Sequence, residues 1–282
     1  MKNIRKYNNN IILANDRGQE VIVLGKGIGF QTNPGSPVNT SLIEKVFVPQ
    51  DTVYMSRFAD TLSDLAYEYI LLATKVVDCG KTLLPSPLNP SVVVALADHF
   101  SIAFKLLQEE HTTVPTPLKW DLRHLYPREF EAGLRGLDII REERQLVFPE
   151  SEAVNIALHF INAEIDAADM STTFKIVAIT SDIIGIIKDY FHITFDEEAF
   201  DVMPFVLHLR NLVLKYTVRP DQKAQPADDE LYVLVMQRYP EASACCDRIC
   251  AYLRDTEGWE PLQSDLVFLA LHIKRITESL PR

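Results

Sequence analysis

The sequence predicts a multidomain protein, with a small all-β N-terminal domain followed by two all-α helical-bundle domains. Three observations carry this. The first fifty residues contain short β-branched runs separated by turn residues. Beyond about residue 55, glycine becomes rare and apolar residues recur at spacings of three and four. A set of histidines and Tyr-Pro steps then occurs twice, roughly one hundred residues apart, too long a period for a solenoid unit. A chain of 282 residues has room for two or three domains. The expected boundaries are 1–55 for the β-domain, 56–64 for a linker, and 65–170 and 171–282 for the two helical domains.

Residues 10–14 form an apolar run, and Asn15-Asp16-Arg17-Gly18 is a turn signal. The run V-I-V-L then closes a hairpin over residues 20–24. Gly25-Lys26-Gly27-Ile28-Gly29-Phe30 follows, then a polar loop over 31–40 with Pro34, Gly35 and Pro37, then a further strand over 43–48. Helices are expected over 62–77, 91–107, 151–163 and 265–276. Pro85, Pro87 and Pro90 interrupt helices, and 111–117 and 217–229 read as loops.

The duplication is the most informative pattern. The stretch Val94 to Phe100, containing His99, resembles Met203 to Leu209, containing His208. From Tyr126 to His159 and from Tyr239 to His272 the separation is 33 residues in both copies. The first and second histidines are 60 residues apart in one copy and 64 in the other. Glu152 and Asp265 each precede their histidine by seven residues, two helical turns along one face.

Composition narrows the class. Apolar residues are 47% and charged residues 24%, ordinary for a globular protein. No signal-peptide core and no run of membrane-spanning length stands out, so a cytoplasmic protein is expected. Cys79, Cys245, Cys246 and Cys250 include no CxxC pair and no second pair to complete a zinc site, so they read as core or surface thiols. The net charge is −11, but residues 1–52 hold six Lys/Arg against four Asp/Glu, a net +2, leaving −13 for the rest. A slightly basic head on an acidic body suits a nucleic-acid reader joined to something else.

The glycine-rich stretch admits several readings. A phosphate cradle would need a helix directly after it, and Gln-Thr-Asn-Pro-Gly-Ser-Pro does not provide one. A tight turn that lets a nucleic-acid backbone approach fits better, with Phe30 as a stacking face or, alternatively, as a core residue. Asn8-Asn9-Asn10 either turns the chain or offers amides to base edges and 2′-hydroxyls. For the matched histidines two explanations compete. Asp98-His99 could belong to a metal or hydrolase centre, although Leu207-His208 breaks that pattern and no ligand set surrounds either. The imidazoles could instead be covalent switches that accept a phosphoryl group, adding nearly two negative charges.

In this order the motifs resemble the BglG/SacY/LicT family of transcriptional antiterminators over essentially the whole chain. The residues that carry the resemblance are Asn8, Asn10, GKGIGFQ (25–31), Ile43 to Phe47, Asp98-His99-Phe100, Tyr126-Pro127, Ile156 to His159, His208-Leu209 and Leu271-His272. The resemblance implies that the head dimerises and binds a leader mRNA hairpin, stopping a terminator from forming. It places RNA contacts at Asn8, Asn10, Gly25, Lys26, Gly27, Phe30 and Gln31. Many members have Arg where Lys26 stands; Lys keeps a phosphate contact and loses the planar fork. The two repeats resemble phosphotransferase-system regulation (PRD) domains. This implies inhibitory phosphorylation at His99 and His159, linked to a sugar permease (enzyme II). It also implies activating phosphorylation at His208 and His272 by the phosphocarrier HPr. No cofactor, metal or catalytic residue is implied, and the expected assembly is a homodimer. The alternative reading is a DNA-binding activator with the same regulatory domains, which would call for a helix-turn-helix head rather than a β-rich one.

Overall fold

The computed structural model describes residues 1–48, 59–108, 122–123, 125–165, 170–193, 202–218 and 229–279. The loops expected at 111–117 and across most of 217–229 lie outside these residues, as do positions 56–58 of the expected linker.

The head is a four-stranded antiparallel meander in the order β1-β2-β3-β4: β1 Lys2–Lys6, β2 Ile11–Asp16, β3 Gln19–Leu24 and β4 Lys45–Phe47. The hairpin register pairs Ile11 with Leu24, Ile12 with Val23 and Ala14 with Val21. The strands read as unbroken apolar runs because both faces of the sheet are covered. One face buries Ile12, Ala14, Val21 and Val23 under Ile28 and Val38 of the following loop. The other buries Ile11, Ile22, Leu24 and Phe47 in one core with the first helical bundle. The N-terminal strand β1 is an addition to the strands expected from sequence.

The helices are α1 Tyr67–Leu83, α2 Val92–Gln108, α3 Pro127–Arg144, α4 Ser151–Ile165, α5 Met170–Phe191, α6 Val202–Val218, α7 Asp229–Arg238, α8 Pro240–Glu257 and α9 Gln263–Ser279. The helix expected over 62–77 is broken. Helical turns at 59–64 stop at residues 65–66 before α1 begins, and Ala59 and Leu62 are fully buried. Both Tyr-Pro steps open helices, α3 at Pro127 and α8 at Pro240, where proline's fixed φ suits the first helical position.

Two compact units result. One comprises residues 1–116 and 128–166, so the sheet and the first bundle cluster together; the other comprises 117–127 and 167–282. The expectation that no stretch reaches membrane-spanning length needs correction. Helix α5 has 22 residues and is apolar enough to cross a bilayer by length and composition. The sequence reading missed it because Lys175, Asp182 and Lys188 interrupt the apolar run. Its buried residues, among them Ile176, Val177, Ile183 and Ile187, form the packed stripe of a core helix. Cys245 and Cys246 are buried in α8, and burial pushes the Cys245 thiol up to about 12, leaving it protonated and inert.

Candidate RNA interface and histidine pairs

The head brings the Asn8–Asn10 turn against the glycine loop. Asn8 Oδ1 accepts from the Asn10 N–H at 2.8 Å, and Asn10 Oδ1 accepts from the Gly27 N–H at 2.9 Å. Two backbone bonds tie the same segments, Gly25 N–H to Asn10 O at 3.0 Å and Gly29 N–H to Asn9 O at 2.9 Å. Sequence positions 8–10 and 25–31 thus form one surface.

Phe30 is 63% exposed on that surface, which excludes the core alternative and leaves a bare aromatic face. Lys26 and Gln31 are also exposed, Gln31 with a φ of 52°. Gly25 is different: it is buried, and a Cβ there would lie 1.8 Å from the Leu42 carbonyl oxygen. Its glycine is required by packing, which holds the loop close to the chain entering β4.

The head is also tied to the first bundle. The Asn8 side-chain amide donates to the Ser63 carbonyl at 3.2 Å, and Lys45 of β4 pairs with Asp78 of α1 at 2.5 Å.

Each repeat brings its two histidines together, although 60 or 64 residues separate them in sequence. His99 on α2 and His159 on α4 have ring centroids 5.2 Å apart. His208 on α6 and His272 on α9 are 4.6 Å apart. Burial, reinforced by the neighbouring His99, pushes His159 down to about 3. Burial, together with His208 and Arg275, also lowers His272. Both rings are therefore neutral near pH 7, with a lone pair available for nucleophilic attack. His208 is exposed and stacked on the exposed ring of Phe268, and Leu207 and Leu271, which precede His208 and His272 in sequence, are exposed as well.

The surroundings of the pairs differ in a way the sequence spacing did not reveal. Glu152 Oε2 lies 2.9 Å from His99 Nε2. An ionised carboxylate only accepts, so the ring donates. Glu152 is 2% exposed and the His99 side chain 20%. In the second unit Asp265 instead accepts from Lys215 Nζ at 2.8 and 3.0 Å and from the Tyr216 hydroxyl at 2.7 Å. Lys215 and Asp265 line one cleft with His208 and His272. A signal for this was present: Lys215 follows His208 by seven residues, whereas Leu106 holds that place after His99. Among the described residues no group of three or more His, Cys, Asp or Glu is placed to hold a metal ion.

The CAT RNA binding domain family matches residues 1–55, and the PRD domain family matches residues 75–163 and 181–276. The beta-glucoside operon antiterminator of Dickeya chrysanthemi is 30% identical over 99% of this chain and 98% of its own. Transcription antiterminator LicT of Bacillus subtilis (strain 168) is 30% identical over 99% of both chains. A solved structure, the crystal structure of GlcT CAT-PRDI, is 27% identical with a TM-score of 0.49, covering 58% of this chain and 97% of that one. With an N-terminal sheet matched as an RNA-binding domain and two histidine-bearing bundles matched as PRD domains, the chain belongs to the BglG/SacY/LicT family of transcriptional antiterminators.

Proposed function

We propose that this chain is a sugar-responsive antiterminator. Its head binds a leader mRNA hairpin, prevents a terminator from forming, and is controlled by histidine phosphorylation from the phosphotransferase system. The observation that carries the reading is the convergence of Asn8, Asn10, Lys26, Gly27 and Gln31 around an exposed Phe30, in a chain matched end to end by antiterminators. Gly25 belongs to this surface by shaping it. The working domains are 1–55, a connection over 56–64, and regulatory domains over 65–170 and 171–282. The chain acts as a cytoplasmic homodimeric regulator rather than an enzyme. The head described here is a sheet, which disfavours the DNA-binding activator.

The test is a gel shift of the full chain on the leader RNA of its own operon, with a salt titration. A shallow salt slope is expected because the head carries little net charge. Phe30→Ala should weaken RNA binding by about 5- to 150-fold, the equivalent of ~1–3 kcal/mol for one lost base stack. It should leave the thermal midpoint of the chain unchanged, because the ring is exposed. Equal RNA affinity in the variant would remove Phe30 from the interface.

Regulation then acts through the shared core of sheet and first bundle. One N–H of the Asn8 amide is committed to the Ser63 carbonyl, so RNA can use that N–H only if the bond is exchanged. Phosphorylation of His99 and His159, linked to the permease enzyme II, inhibits; phosphorylation of His208 and His272 by HPr activates. The double variant His99→Ala, His159→Ala should give read-through without inducing sugar in a leader–reporter fusion. Sugar-dependent output that persists unchanged in that variant would count against the first pair as the inhibitory site.

A further inference from the structure

We propose that Glu152 sets the sign of the response in the first helical unit, by making an anion on His99 incompatible with the packed pair of α2 and α4. The inference rests on the histidine phosphorylation proposed above and concerns what the protein does with the added charge.

The transfer itself is balanced within the two rings. In the tautomer that carries its proton on Nδ1, the Nε2 lone pair of His99 attacks the phosphorus of a phosphohistidine on the donor protein. The N–P bond to His99 forms as the donor's N–P bond breaks. The donor ring keeps that electron pair and takes up a proton, and the His99 ring releases its N–H proton. The product is a neutral ring bearing a phosphoryl dianion.

Attack at Nε2 removes the bond to Glu152. A phosphoryl group on Nε2 replaces the hydrogen that Glu152 accepts across 2.9 Å. A carboxylate only 2% exposed thus loses a donor and gains a dianion beside it. A buried charge stripped of its partner is strongly destabilising, and the like charge beside it adds repulsion. The strain falls between α2, which carries His99, and α4, which carries Glu152 and His159.

The second unit is built the opposite way. The corresponding acid, Asp265, is held by Lys215 and by the Tyr216 hydroxyl, and neither bond involves a histidine. Phosphorylating His208 or His272 leaves those bonds intact. The new dianion enters a cleft that already contains the Lys215 ammonium. In the first unit Leu106 occupies the place corresponding to Lys215 and supplies no charge. The two repeats thus carry the same histidines with opposite electrostatic settings, one against an anion and one beside a cation.

The test uses the full chain and amide hydrogen exchange resolved by segment. His99→Asp is the anion stand-in, made in the native and the E152Q backgrounds. Exchange in α2 and α4 should accelerate by about tenfold or more in H99D, and by a much smaller factor in H99D/E152Q, a coupling in the usual ~5–150-fold range. Equal acceleration in both backgrounds would overturn the proposal. Should E152Q itself fail to fold, the second unit decides. H272D should be tolerated natively, and should speed exchange in α6 and α9 by a comparable factor once Lys215→Gln is added. Simple additivity of H272D and K215Q would overturn it as well. Incubation of the native chain with phosphorylated carrier protein separates the two levels. Absence of phosphate on all four histidines would defeat the proposed function, whereas the charge coupling is read without any donor.

Discussion

Gly25→Ala is expected to abolish RNA binding and to destabilise the head, although the change adds a single methyl group. The added Cβ would lie 1.8 Å from the Leu42 carbonyl oxygen and 2.9 Å from its carbon. Both are backbone atoms, so no side-chain rotation relieves the clash. The chain entering β4 must move away, which opposes the Glu44 N–H to Leu24 O bond at 2.9 Å that starts the strand. The same displacement pulls on the Gly25 N–H to Asn10 O bond that joins the glycine loop to the asparagine turn. Overpacking of this kind costs ~1–3 kcal/mol, and more where backbone is trapped. Phe47 of β4 lies in the core that the sheet shares with the first helical bundle, so a displaced β4 disturbs that core as well. Gly27→Ala is the natural comparison. Gly27 has a φ of +75° and nothing within reach of an added Cβ, so only the left-handed conformation is penalised, by ~1–2 kcal/mol. Gel shift on leader RNA and segment-resolved hydrogen exchange should therefore rank the variants Gly25→Ala well below Gly27→Ala. Native-like RNA affinity in Gly25→Ala would show that this close approach does not shape the interface.

The contrast between those glycines illustrates which parts of the molecule could be read from the sequence. Gly25-Lys26-Gly27 marked a special backbone segment, but only the fold assigns packing to one glycine and left-handed geometry to the other. The strands β2 and β3 were legible because their apolar runs are bounded by turn residues. Strand β1 was not, because Lys2, Arg5 and Lys6 give a polar edge strand with no readable period. Its placement comes from long-range bonds, such as Asn3 N–H to Ser36 O at 2.9 Å and the pairing with β2. The break at 65–66 escaped for the opposite reason: apolar spacing continues through Leu62, Leu65 and Tyr69 even though the backbone turns. The histidine pairs were foreseeable as equivalents because duplication fixes corresponding positions. That each pair is in contact, and that Glu152 reaches His99 while Asp265 reaches Lys215, depends on how helices cross, which spacing along one helix does not encode.

Acidification should destabilise the first helical unit steeply between about pH 6.5 and pH 3, and His159→Gln should flatten that dependence. In the unfolded chain His159 titrates near its ordinary value of 6.5; in the folded unit, burial and the adjacent His99 hold it down to about 3. The folded state therefore binds fewer protons than the unfolded state throughout this window. Its stability is complete above pH 6.5 and falls as the pH drops, by up to ~1.4 kcal/mol per pH unit, until the folded ring itself protonates. Several kcal/mol across the window is a large fraction of what a domain possesses. Carboxylates titrate over the lower part of the same range, so the informative quantity is the difference between the native chain and the variant. It is read from denaturant midpoints at each pH from 7.5 to 4. Parallel curves for the two proteins would mean that His159 is not held neutral by its surroundings. The same burial that makes the fold acid-sensitive keeps a lone pair on the ring at physiological pH, which phosphoryl acceptance requires. A nitrogen kept unprotonated by low polarity is also one beside which a new dianion is poorly solvated. Readiness to accept the group and intolerance of it afterwards thus have a single physical origin, the packing of α2 against α4.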